Sequence, residues 1–89
     1  MTPLVLVVGG ERPAAAASEA VLAKLRFGVA TSDSADEALA VIATLRPDIV
    51  VAPAEDLPRI RNEAPDTLRV VPMRDDPALV IDDIRRSLR

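Results

Sequence analysis

Leu4-Val5-Leu6-Val7-Val8 is an unbroken apolar run with no polar alternation. That pattern predicts a strand covered on both faces, as in a parallel sheet. Gly9-Gly10 ends it, and from Pro13 to Arg26 the residues Ala16, Ala20, Leu22, Ala23 and Leu25 recur with a rough helical period. Pro13 suits a first helical turn. Gly28 is the residue expected to close this helix in a left-handed conformation, and Val29 to Thr31 reads as a short edge strand. Ser34-Ala35-Asp36-Glu37 has the Ser-x-x-Glu spacing in which the hydroxyl caps the amide at Glu37 and the carboxylate returns to the serine N–H. A helix starts there: Ala38, Leu39, Ile42 and Leu45 share one face, and Pro47 stops it.

Ile49 to Ala52 is a third strand, apolar throughout like the first. Asp56 is placed to cap a short helix through Leu57, Ile60 and Ala64, with Pro58 in its first turn and Pro65 at its end. Leu68 to Met73 forms a fourth strand, and Arg69 within it implies one face partly open to water. Asp76-Pro77 opens a last helix with an apolar stripe of Val80, Ile81, Ile84 and Leu88. Its acid-first, base-last order, Asp82 before Arg85 and Arg86, suits the helix dipole. This alternation of strands and helices predicts one α/β domain over 1–89, three-layered, with a four-stranded parallel sheet and right-handed crossovers. The two fully apolar strands must be central, so the expected order is 2-1-3-4, the start of the flavodoxin-like arrangement.

Composition narrows the chemistry. The 89 residues are 49% hydrophobic, enough for one small core. Phe27 is the sole aromatic residue, which argues against stacking on bases. The net charge of −3 gives no electrostatic reason to expect nucleic acid as a partner. Cysteine and histidine are both absent, which removes disulfides, thiol chemistry and the usual zinc ligands. No apolar run approaches the length of a membrane span, and the first residues lack the basic region and cleavage site of a signal peptide. The chain reads as cytoplasmic, without cofactor or metal.

Arg46 to Asp56 marks where chemistry is expected, because ligands in open α/β sheets bind beyond the carboxyl ends of the strands. That position is held by Pro53, which offers no ionisable group, nucleophile or N–H. Gly9-Gly10 has two readings: a tight turn, or an anion cradle of backbone N–H groups. It lacks both G-x-G-x-x-G and G-x-x-x-x-G-K, so the turn is the simpler account. Glu11, Glu55 and Asp56 are candidates to gather at the same sheet edge and bind a divalent ion, but helix capping and solubility are the simpler account of Asp56 and Glu55.

Three stretches together resemble the receiver domain of bacterial two-component response regulators: Leu4 to Glu11, Ser34 to Leu39, and Leu45 to Ala52. Asp76 to Leu79 and Ile84 to Leu88 are similar to that family's last helix. The family has one more strand and helix than this chain can hold, so the resemblance implies a domain shortened by a βα unit. It also implies a lost phosphorylation site. The acidic pair that holds Mg²⁺ in the family corresponds to Gly9 and Gly10, leaving Glu11 alone. The phosphorylatable aspartate corresponds to Pro53, the switch Ser/Thr falls near Pro72 or Met73, and the family's lysine corresponds loosely to Arg74.

The resulting expectation is a non-enzymatic pseudo-receiver that works by binding a protein, either a second copy of itself or a signalling partner. Loss of a βα unit would leave the fourth strand unpaired and the last helix less covered. Leu68, Val70, Val80, Ile81, Ile84 and Leu88 are therefore the expected interface. The alternative is a small-molecule or anion-binding domain that uses the Gly9-Gly10 turn and the Pro53–Asp56 loop.

Overall fold

Parallel pairing of the apolar runs organises the chain. The computed structural model describes residues 3–10 and 12–88. In chain order the elements are β1 (Leu4–Val8), α1 (Pro13–Lys24), β2 (Gly28–Ser32), α2 (Ala35–Leu45), β3 (Ile49–Ala52), α3 (Leu57–Glu63), β4 (Arg69–Pro72) and α4 (Pro77–Ser87). The sheet has four strands in the order β2-β1-β3-β4, every pair parallel. The architecture is the flavodoxin-like α/β sandwich expected from the sequence, ending one strand short of the five-stranded 2-1-3-4-5 order.

The central strands lack polar alternation because both of their faces are covered. Val5, Val7, Ile49, Val51 and Val71 face α1 and α4, where Leu22, Val80, Ile81 and Ile84 meet them. Leu6, Val8, Val50 and Ala52 face α2 and α3 and pack on Ala38, Ile42, Leu57 and Ile60. Each fully buried Leu, Ile or Val contributes about 1.5–3 kcal/mol relative to exposure. No helix of the described residues is long and apolar enough to cross a membrane.

Local signals set most of the boundaries. The Glu37 N–H donates to Ser34 Oγ at 3.2 Å and starts α2, and Ala78 N–H donates to Asp76 Oδ1 at 2.9 Å and starts α4. Asp56 differs from expectation. Its backbone is already right-handed helical and its side chain makes no capping bond, because its own N–H is drawn back to the Pro53 carbonyl in the turn that precedes α3.

The end of α1 is also different. Gly28 opens β2, and the left-handed residue is Arg26, with φ 66°. Phe27 N–H reaches the Leu22 carbonyl and Arg26 N–H the Ala23 carbonyl, the paired bonds of a Schellman closure. Arg46, with φ 50°, closes α2 in the same left-handed region. Beyond it, Asp48 clamps the start of the sheet: Leu4 N–H donates to the Asp48 carboxylate at 2.8 Å and Asp48 N–H to the Leu4 carbonyl at 2.9 Å.

β4 is an edge strand, and two of its residues adapt it to that place. Met73 N–H points inward to the Ala52 carbonyl, so alternation turns the Pro72 position outward, where a proline has no N–H to present. Arg69 lies on the α4 side and its Nε donates to the Ser87 carbonyl at the end of that helix, satisfying a terminal acceptor and opposing the negative end of the helix dipole.

Candidate functional site

Parallel strands direct all their carboxyl ends to one pole, so the β1–α1, β3–α3 and β4–α4 loops meet there. A shallow cleft of about 440 Å³ opens between them, lined by Arg12, Pro53, Ala54, Glu55, Met73 and Asp75 among others. Pro53, directly after β3, is buried at its base. The cleft therefore lies where the sequence places it, and the group nearest the end of β3 is chemically inert.

Gly9 and Gly10 form the turn on the β1 side, with φ of 144° and 55°. Both N–H groups donate to a single acceptor, the Ser32 carbonyl, at 3.1 and 3.3 Å. Their protons hold β1 against β2, which leaves the turn poorly supplied with donors for an anion. A Cβ on Gly9 would lie 3.2 Å from Met73 Cε, so the Met73 side chain occupies the space above the turn.

An ion pair spans the cleft mouth. Arg12, entering α1, bonds Glu55 in the β3–α3 loop. A backbone N–H bond at Glu55 and then the Arg12 guanidinium hold the Glu55 carboxyl below its usual range. The pairing is long-range in sequence, and no spacing rule marks Arg12. Arg74 turns away from the cleft and donates through Nε to Asp83 of α4 at 3.2 Å. Glu11 lies outside the described residues. Among the described residues no acidic cluster gathers in a form that could hold a metal ion.

The residues expected at an interface are divided by the sheet. Val80, Ile81 and Ile84 are buried against β1, β3 and β4. Leu68 and Val70 are partly buried on the opposite face, while Leu88, after α4, is exposed. These six side chains do not share one surface: the apolar stripe of α4 is core, because the four strands suffice to cover it.

No family model, curated protein or solved structure matches the chain.

Proposed function

We propose that the chain is a phosphorylation-independent pseudo-receiver, a receiver-like module that acts in bacterial signalling by binding another protein and performs no chemistry of its own. The observation that supports this reading is the buried Pro53 at the carboxyl end of β3, beneath a cleft spanned by the Arg12–Glu55 ion pair and filled beside Gly9 by Met73. An acyl phosphate needs a carboxylate at that point and a hard cation beside it. Proline supplies neither a nucleophile nor a ligand, and Gly9 and Gly10, which follow β1, leave the neighbouring position without a carboxylate. What remains is a folded surface, and surfaces of this kind act through partners.

Incubation with acetyl phosphate and Mg²⁺, followed by intact-mass measurement, tests the reading directly. The expected spectrum contains only unmodified protein; covalent phosphate would overturn it. A second reading, a small-molecule site, has the cleft itself in its favour. It requires that phosphate or a nucleotide raise the melting temperature, since a ligand selective for the folded state must stabilise it. The engaged amides of Gly9 and Gly10 lead us to expect no shift.

A further inference from the structure

The net charge of −3 conceals a strong separation of sign along the strand axis. Helices return antiparallel to the strands, so every helix C-terminus lies at the amino-end pole of the sheet. That pole carries Lys24, Arg26, Arg46, Arg69, Arg85 and Arg86 against Asp48, Glu63 and Asp66, with Arg61 in the last turn of α3. Among the described residues Lys24, Arg26, Arg46 and Arg85 make no ion pair. The carboxyl-end pole has the reverse sign. Asp33, Asp36, Glu37, Glu55, Asp75 and Asp76 gather there, and its arginines are spent on carboxylates: Arg12 on Glu55, Arg59 on Asp36 and Glu63, Arg74 on Asp83.

Exposed leucines stand at both poles, more of them at the basic one. Leu25, Leu45 and Leu88, the residues at or next to the C-termini of α1, α2 and α4, are 44%, 51% and 41% exposed at the basic pole. The acidic pole presents Leu79, 45% exposed in the first turn of α4, and the cleft lined by Pro53, Ala54 and Met73, while a wider groove of about 790 Å³, lined by Leu39, Ile42, Arg46, Ala64 and Leu68 among others, opens at the basic pole. Matching of the helix dipoles accounts for cations in the last helical turns. It does not account for Arg26 and Arg46, held in left-handed loops where glycine is less strained, or for leucines left in water.

We propose that the two poles are complementary docking surfaces for each other through their opposite charge, so that copies of this chain associate head to tail, the basic end of one against the acidic end of the next. Such a contact is heterologous, and it generates open chains or rings in place of a two-fold dimer. Exposed charges are screened beyond about 8 Å at physiological ionic strength and about 30 Å at 0.01 M, so the contact is weak and salt-controlled. This names the partner in the interaction-module reading on which it rests, yet the sedimentation result stands or falls whatever acetyl phosphate does.

Sedimentation of the full chain over a wide concentration range is the test. At about 0.01 M salt the average mass should climb with concentration beyond dimer, and raising salt to about 0.15 M should weaken association tenfold or more. The double variant Lys24→Glu/Arg85→Glu should stay monomeric alone. Added to wild type it should shorten the assemblies, because its intact acidic pole docks while its altered pole receives nothing. Arg26→Gly/Arg46→Gly guards against misfolding as the cause, since it relieves backbone strain: it should melt higher and associate less. Monomer under every condition, a salt-resistant two-fold dimer, or full association by these variants would overturn the proposal. So would a monomer that binds phosphatidylserine vesicles through its basic pole, which would make the occupant a lipid surface.

Discussion

The two poles of the sheet meet the same backbone requirement with different residues. Where β1 turns back at the carboxyl end, the positive-φ positions are Gly9 and Gly10; where α1 and α2 close at the amino end, they are Arg26 and Arg46. Glycine takes such angles freely, whereas a residue with a Cβ loses about 1–2 kcal/mol there. At the carboxyl end the space around the turn is tight as well, a Cβ on Gly9 meeting Met73 Cε at 3.2 Å and one on Gly10 the Asp33 carbonyl oxygen at 3.3 Å. At the amino end the side chains point into solvent, so the strained residue is tolerated and its charge retained. Geometry governs one pole and charge governs the other.

Substitution at the carboxyl-end turn should break this contrast most severely. Gly9→Ala and Gly10→Ala each force a Cβ into a left-handed position and, in Gly10, to within 3.3 Å of the Asp33 carbonyl oxygen. Each should destabilise the fold by about 1–3 kcal/mol in urea denaturation. Next comes the clamp at the opposite pole. Asp48→Ala removes the acceptor of the Leu4 N–H at 2.8 Å and should cost about 1–2 kcal/mol, with faster amide exchange at Leu4 than at Val7.

Smaller and opposite in sign, Arg26→Gly alone should stabilise the chain by about 0.5–1 kcal/mol, the relief of strain less the added freedom of the unfolded glycine. In a domain of this size that raises the melting temperature by roughly 2–8 °C. The smallest effect belongs to the Arg12–Glu55 pair. The Glu55 carboxyl titrates lower folded than unfolded, so its contribution is present above the unfolded carboxylate pKa of about 4.3 and fades as pH falls through the lower folded value. Wild type and Glu55→Gln should therefore converge in stability at acid pH and separate slightly near neutrality, the difference being small because both partners are exposed.

The fold was legible because burial on both faces writes itself as runs without alternation. Leu4–Val8 and Ile49–Ala52 begin and end where the runs do, and their central places follow from that covering. Closures were harder to read. Gly28 carries the usual signal of a helix terminus, but α1 stops at Lys24 and the left-handed position falls on Arg26. Which residue takes that angle depends on the last hydrogen-bonded turn, a tertiary outcome. The stripe of α4 was legible as apolar, but that Val80, Ile81 and Ile84 pack into the core was not, since periodicity marks a face without saying what covers it.

For the site, the position of Pro53 followed from the length of β3, while the residue that bridges to its loop did not. Arg12 and Glu55 stand 43 residues apart, and only the folded sheet makes them neighbours. The polarity of charge was equally hidden in the composition. It emerges once the topology assigns each helix end to a pole.

Pro72 has a bearing on how this domain could be enlarged. A fifth strand laid along β4 would seek a donor at each outward position, and at Pro72 it would find none. Lengthening the chain by a grafted strand and helix should therefore yield a loosely attached appendage unless Pro72 is first replaced by a residue such as valine. The sheet carries its own partial terminator, one donor withheld at the outward edge of its last strand.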